Sequence, residues 1–308
     1  MTTKNSIPEE GYVLRWYGFM KERFTPVQFV PMIISYFTAN AAVAFLSAGR
    51  TAQMRGEIAG IAVIFMVFLH LRIFDEIKDY EKDLVIHPDR PLPRGAISII
   101  EAKWTAFAVI LAELAVAFFM GLPSLVACGI VIGYSLLMYK EFFVREWLVP
   151  RLATYAFTHT VISSWMSLFI YSAVTGHHFW QVEREYAMFL VANMMIFNIY
   201  EFGRKTFGKE EEKEQVESYS RRLGPFGAAG SVAAMAASAI VMALWLGRVF
   251  GSSVIFTVLM TILLGISLLI SLCYALANNA FWAKIFRWMS ALFIFIYTLI
   301  IALGIQSR

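Results

Sequence analysis

The chain has 308 residues, 59% of them hydrophobic and only 16% charged, with a mean hydropathy of +0.65. Soluble domains run nearer 45–50% apolar and about 25% charged, so the composition excludes an ordinary soluble domain and predicts an integral membrane protein. The net charge of +4 does not argue for nucleic acid, because the basic residues gather in short loops between apolar runs.

The first 25 residues mix charged and aromatic side chains (EEGYVLRWYGFMKERF) and lack a compact apolar run with a small-residue cleavage site, which predicts no cleavable signal peptide. Residues 1–26 read as a short cytoplasmic segment. A spanning helix needs about 20 mostly apolar residues. Nine windows qualify, at 27–48, 57–74, 102–120, 123–139, 151–174, 185–203, 226–246, 253–275 and 281–304. Gly121-Leu122-Pro123 predicts a minimal turn between the third and fourth, and Gly251 and Asn278-Asn279 punctuate the last ones. Cys128 and Cys273 both fall inside apolar windows and read as small core residues, which leaves no disulfide framework or zinc site. The expected fold is all-α, a multi-pass membrane protein of nine transmembrane helices in one domain, 1–308.

Loops assigned alternately to two sides place every lysine and arginine on the N-terminal side except Arg50, Arg55, Arg184, Arg248 and Arg308. Cytoplasmic loops carry the excess of positive charge. The N-terminus and the loop after the second window are therefore expected to face the cytoplasm, with the protein in the cell membrane.

That loop begins DEIKDYEKDLVIHPDRPLPRG, residues 75–95. Asp75, Asp79 and Asp83 are spaced i, i+4, i+8. On a continuous helix each step advances about 6 Å and drifts only about 40°, so the three carboxylates form one stripe. Like charges at that spacing cost a few tenths of a kcal/mol per pair, and the stripe calls for a counter-ion. Mg²⁺ suits it, because that ion takes one or two carboxylates and prefers phosphate oxygens and water for the rest. The plainer alternative is a solvated helix end with Lys78 and Lys82 interspersed. The segment from His87 to Gly95 follows, with Arg90 and Arg94 set among Pro88, Pro91 and Pro93, and such a stiffened basic stretch can fold back over a bound anion.

Asp-x₃-Asp-x₃-Asp followed by Arg-Pro-Leu-Pro-x-Gly, at the end of the second of nine spans, resembles the first signature of the UbiA superfamily of intramembrane prenyltransferases. The usual pattern there is Asn-x₃-Asp-x₃-Asp, so Asp75 is a departure that adds charge. The resemblance implies a central apolar cavity for an isoprenoid tail under a cytoplasmic-side polar cap, made by loops at about 75–101 and 204–225. It implies Mg²⁺ as cofactor and a prenyl diphosphate as substrate. The family's second motif, commonly Asp-x₃-Asp, corresponds to IYEFGRK, which aligns without a gap to IFDEIKD: Glu201 falls opposite Asp75, Arg204 opposite Lys78, and Lys205 opposite Asp79. On this reading Asp75, Asp79, Asp83 and Glu201 are the catalytic metal ligands, with Asn198 one turn before Glu201. Arg72, Lys78, Arg90, Arg94, Arg204 and Lys205 are candidate diphosphate contacts, Arg72 having Asp75 as an alternative partner. Lys140 takes the role of a family lysine after the fourth span, the alternative being an interfacial anchor beside Tyr139. The segment Ser218-Tyr219-Ser220 to Gly224 resembles the stretch after the second motif.

Ionisable groups inside spans are often functional. Glu113 reads as an interhelical hydrogen-bonding group or a group deep in the pocket. His70 and His159 read as packing polarity or as pocket residues, His70 at the mouth and His159 as an orienting group or base. His177-His178 read as a loop feature on the opposite side, and Glu210, Glu211, Glu212 and Glu214 as a solvated charged loop. The expected reaction is Mg²⁺-assisted loss of diphosphate within the bilayer, followed by prenyl transfer to a hydrophobic acceptor. The alternatives are cyclisation of the substrate without an acceptor, as in the terpene cyclases that resemble this family, and a non-enzymatic transporter or lipid-binding scaffold. Transporters tend to hold charge at the bilayer midplane, whereas here it gathers at one surface.

Overall fold

In the computed structural model of the protein, residues 11–49, 57–213 and 216–305 are described. They form helices α1 (Tyr12–Arg23), α2 (Pro26–Ser47), α3 (Glu57–Lys78), α4 (Tyr80–Ile86), α5 (Ile99–Phe119), α6 (Leu122–Tyr139), α7 (Arg145–Leu148), α8 (Leu152–Thr175), α9 (Arg184–Arg204), α10 (Tyr219–Phe250), α11 (Val254–Ala277) and α12 (Ala280–Gly304). Seven of these, α2, α3, α5, α6, α10, α11 and α12, are long and apolar enough to cross a membrane. The fold is thus an all-helical multi-pass membrane bundle.

Helices α8 and α9 fill the remaining two predicted windows but carry more polar residues. Both sit inside the bundle, α8 against α2 and α6, α9 against α10 and α12, and each against the other. Their polarity is used internally. Tyr36 of α2 pairs its hydroxyl with Ser167 of α8 at 2.7 Å, and Asn193 of α9 donates to Asn40 of α2 and to Ser167, both at 3.0 Å. Polar side chains within hydrocarbon need such internal partners. The alanine-rich face of α10, including Ala228, Ala236, Ala239 and Ala243, lets that helix lie close against α9. Gly203 does the same toward α12: a Cβ there would meet the Ser290 side chain at 2.1 Å.

Gly121, at φ +105°, makes the expected tight turn between α5 and α6. The described part of the 1–26 segment carries a helix outside the nine windows, Tyr12–Arg23, which is amphipathic. Trp16 and Phe19 are buried against Ile73, Leu92, Ile97 and Ala102, and Arg15 binds Glu101 at 2.7 Å. Its opposite face leaves Val13, Leu14 and Tyr17 exposed.

The ends of α3, α6, α9 and α11 and the starts of α8, α10 and α12 meet at one end of the bundle. Lys78 and Lys205 both approach Tyr155 near the start of α8. In the 205–218 segment, Lys209 donates to the Asn278 carbonyl and Glu211 binds Arg287 of α12. The segment's described glutamates have protein partners rather than solvent alone: Glu212 accepts from Ser218 and Ser220, and Glu210 accepts from the Ala280 backbone N–H. Glu214 lies outside the described residues.

Candidate active site

The acidic stripe is bent, not straight. Helix α3 stops at Lys78, Asp79 takes φ −88°, ψ 1°, and α4 starts at Tyr80. The i→i−4 bonds nevertheless persist across the break, from Asp79 N to Asp75 O at 2.9 Å and from Asp83 N to Asp79 O at 2.8 Å. The three carboxylates therefore stay in sequence along one path but differ in environment. The Asp75 side chain is 55% exposed and lies 3.5 Å from Lys78. Asp83 is buried and paired with Arg90, whose Nη1 is 2.5 Å from its Oδ2. Asp79 is half-buried, and its carboxylate has no hydrogen bond or ion pair among the described residues. Burial raises its pKa; Lys78 and Lys82 oppose that, while Asp75 and Asp83 add to it.

The proline-stiffened segment does fold back, but only in part onto the stripe. Arg90 reaches Asp83, whereas Arg94 makes a two-bond pair with Glu22 of α1 at 2.7–2.8 Å. Arg72 does not pair with Asp75. It binds the buried Glu76, which Arg23 of α1 also reaches at 2.8 Å. The Arg23–Glu76 and Arg94–Glu22 bridges tie α1 to the end of α3 and to the segment that follows the acidic motif.

On the other helix end, Glu201 is bound by Arg204 at 2.6 Å and by Lys205 at 2.7 Å. Its charge is compensated from its own helix. Burial lowers the Lys205 pKa, with Glu201 opposing that effect and Arg204 adding to it. Asn198 does not join Glu201: it is buried and donates to Thr160 at 2.6 Å and to the Met194 carbonyl at 2.9 Å. Among the described residues no three histidine, cysteine or acidic side chains form a ready metal cluster, so the four expected ligands are not gathered in this arrangement.

The two helix ends meet at Tyr155. The Lys78 ammonium lies 5.7 Å and the Lys205 ammonium 5.5 Å from its ring centroid, and His159 stacks on that ring at 3.8 Å. The Lys78 ammonium also donates to the Tyr155 hydroxyl at 3.0 Å. Below this layer Phe68, two turns before Asp75, stacks with Phe197, one turn before Glu201, at 6.1 Å. Aromatic rings from α3 and α9 therefore lie against each other beneath the charged layer.

Glu141 is the residue that sequence reasoning missed. It is 6% exposed, and its carboxylate takes Lys78 at 3.2 Å and the Tyr155 hydroxyl at 3.1 Å on one oxygen, with His159 at 3.5 Å on the other. Burial works to raise its pKa, but His159 and Lys78 outweigh it and hold the carboxyl down at about 2. The neighbouring Lys140, chosen from the sequence, is exposed and lies over the ring of Tyr139. The reason is a turn: Glu141, Phe142 and Phe143 all have positive φ, +48°, +53° and +59°, which turns Glu141 inward. Nothing in the sequence signals three successive left-handed non-glycine residues.

His70 does not reach the pocket mouth. It lies about 200° around α3 from Phe68, is fully buried, and its Nδ1 meets Oε1 of Glu113 on α5 at 2.6 Å. The sequence flagged both residues but not their pairing.

Residues 34–299 match the profile of the UbiA prenyltransferase family. The chain matches no curated protein sequence significantly. Its fold is similar to that of a digeranylgeranylglyceryl phosphate synthase, with a TM-score of 0.65, 15% identity, and coverage of 94% of this chain and 98% of that one. A UbiA homologue from Aeropyrum pernix K1 gives 0.67, 17% identity, and coverage of 86% and 94%. A UbiA homologue from Archaeoglobus fulgidus bound to GPP and Mg²⁺ gives 0.53, 14% identity, and coverage of 90% and 99%. With the family profile matched over most of its length and the helical fold shared, the chain belongs to the UbiA prenyltransferase family.

Proposed function

We propose that the protein is a Mg²⁺-dependent intramembrane prenyltransferase that ionises a prenyl diphosphate at the charged end of the bundle and transfers the prenyl group to a hydrophobic acceptor. The observation that carries this reading is Asp79, a half-buried carboxylate without a partner among the described residues, set between Asp75 and Asp83 and close to Lys78. A carboxylate so placed fits a divalent cation, which removes the repulsion along the stripe. Asp75 and Asp79 would hold the ion, with Asp83 following once Arg90 turns to an anion, and Glu201 a further ligand if its cations do the same. The Archaeoglobus fulgidus UbiA homologue of similar fold is bound to GPP and Mg²⁺, which supports Mg²⁺ and a prenyl diphosphate as the ligands. When bound, Mg²⁺ offsets the charge of the diphosphate and makes it a better leaving group.

The chain's own groups do the rest. Lys78, Arg90, Arg204 and Lys205 offer charge-assisted hydrogen bonds to diphosphate oxygens. The rings of Tyr155, Phe68 and Phe197 face the developing allylic cation, and the surrounding helices keep water from it. All nine long helices cross the bilayer in this reading, with the charged end cytoplasmic and residues 1–308 forming one domain.

One observation favours a second outcome. Glu201 is already neutralised by Arg204 and Lys205, so the second motif lacks the paired free acids of the family pattern, which favours cyclisation without an acceptor. Incubation of the purified protein with Mg²⁺ and C10, C15 or C20 diphosphate separates the two. Diphosphate release that requires an added lipid or aromatic acceptor supports transfer. Terpene formed without an acceptor supports the cyclase, and no turnover under either condition overturns both.

A further inference from the structure

Lys78 has two carboxylates within reach, Asp75 at 3.5 Å on its own helix and Glu141 at 3.2 Å from the turn after α6. The two differ in setting. Asp75 is more than half exposed and belongs to the acidic stripe, whereas Glu141 is buried and lies outside it. A lysine that settled fully on Asp75 would neutralise the carboxylate that the proposed metal site needs.

The structure opposes that in three ways. The Glu141 carboxylate accepts from the Tyr155 hydroxyl through the same oxygen that faces Lys78, so the ammonium, phenol and carboxylate form a closed triangle with edges of 3.0, 3.1 and 3.2 Å. Its other oxygen faces Nε2 of His159, whose Nδ1 is 2.8 Å from the Tyr155 carbonyl. The backbone at Glu141–Phe143 is left-handed at three successive non-glycine residues. Such backbone is disfavoured for residues other than glycine, so the surroundings must hold the turn, and what the turn delivers is an inward Glu141.

We propose that Glu141 is a positioning residue that draws the Lys78 ammonium away from Asp75, leaving Asp75 free for a divalent cation and Lys78 poised toward the anion bound beside it. The proposal rests on the metal-site reading given above. It acts through Lys78, and Glu141 itself touches neither metal nor substrate.

The test is Mn²⁺ binding to the purified full-length protein, followed by electron paramagnetic resonance, with Mn²⁺ as the probe for the Mg²⁺ site. An ammonium settled on Asp75 must be displaced before the ion binds, and a hydrogen bond between charged groups is worth about tenfold in affinity. Glu141→Gln removes the competing charge and is expected to weaken Mn²⁺ binding by that factor. Glu141→Asp should recover part of it. The decisive variant is the double Lys78→Met, Glu141→Gln, which removes both partners and so also covers the case in which Glu141→Gln alone fails to fold. With no ammonium left to collapse onto Asp75, it should bind Mn²⁺ at least as tightly as wild type. Glu146→Gln, on the exposed face of α7, should leave binding unchanged. Wild-type affinity in folded Glu141→Gln, or weakened binding in the double variant, overturns the proposal. A wild-type protein that binds no Mn²⁺ instead overturns the metal-site reading beneath it.

Discussion

Lys78 and Lys205 approach the same ring, that of Tyr155, from the ends of two different helices, at 5.7 and 5.5 Å from its centroid. The alignment of IFDEIKD with IYEFGRK sets Glu201 opposite Asp75, and the fold brings these helix ends together around α8. The result is lopsided. Free carboxylate is concentrated at the end of α3, while at the end of α9 the acid is matched by its own cations.

Tyr155 therefore has two separable roles. Tyr155→Phe keeps the ring between the lysines and removes only the hydroxyl contacts to Lys78 and Glu141. We expect a rise in KM for the prenyl diphosphate of about tenfold, the equivalent of one hydrogen bond to a charged group. Tyr155→Ala should also lower kcat, because the ring no longer shields the reacting carbon. Equal kinetics for the two variants would contradict this division, and steady-state assays at saturating Mg²⁺ measure it.

Asp79 should be the most sensitive position in the acidic motif. It has no protein partner to lose, so Asp79→Ala removes a metal ligand without leaving a buried cation behind. Mg²⁺-dependent turnover is expected to vanish while the melting temperature holds or rises, since relief of the repulsion from Asp75 and Asp83 is stabilising. Full turnover in Asp79→Ala would end the assignment of the site.

Asp83 behaves differently because it is buried against Arg90. Asp83→Ala should abolish turnover and also destabilise the fold, since it releases the 87–95 segment. Arg90→Ala leaves a buried carboxylate without its donor, at a cost of about 1–3 kcal/mol. Thermal unfolding with paired activity assays checks both, and an unchanged melting temperature in Arg90→Ala would show that Asp83 is not held as described.

Glu211 offers a pH signature away from the site. The hydrogen bond from Arg287 lowers its pKa; burial opposes that shift and the Gly208 N–H adds to it. A carboxylate with a depressed folded-state pKa contributes stability that is complete above the free value of 4.5 and is lost as pH falls through the lowered one. Wild type should therefore melt above Glu211→Gln at neutral pH, with the gap closing below about pH 4. A gap that stays constant down to pH 3 would rule out the ion pair as its source.

The hydrophobic windows located α2, α3, α5, α6 and α8 to α12 to within a few residues at most ends, because a run of apolar side chains long enough to cross a bilayer has few other solutions. The clearest miss among the helices is α1, whose apolar face is too short to register as a span and becomes visible only when Trp16 and Phe19 find Ile73 and Leu92. At the site, residue types were legible and partners were not. Asp83 and Arg90 lie seven positions apart and follow from the motif, but Arg72 and Arg94 are captured by Glu76 and Glu22, and nothing local distinguishes them from Arg90. Glu141 was hidden because its direction depends on backbone angles that glycine, not phenylalanine, normally adopts.

The His70–Glu113 pair gives the sharpest contrast between a packing role and a catalytic one. Both side chains have 0% exposure, and they join α3 to α5 at 2.6 Å on the side of α3 facing away from Phe68 and Asp75. Glu113→Ala leaves His70 Nδ1 without its partner in an apolar setting and should destabilise the protein by about 1–3 kcal/mol. Because the pair does not face the diphosphate layer, the KM and kcat of the surviving folded protein should stay within about twofold of wild type, a difference below about 0.5 kcal/mol. Replacing both partners with apolar residues, His70→Phe with Glu113→Leu, should recover stability, since no buried polar group is then left unpaired. Thermal unfolding and steady-state kinetics on the single and double variants test the three statements together. A kcat loss of 100-fold in a folded Glu113→Ala would show that the pair takes part in the reaction after all.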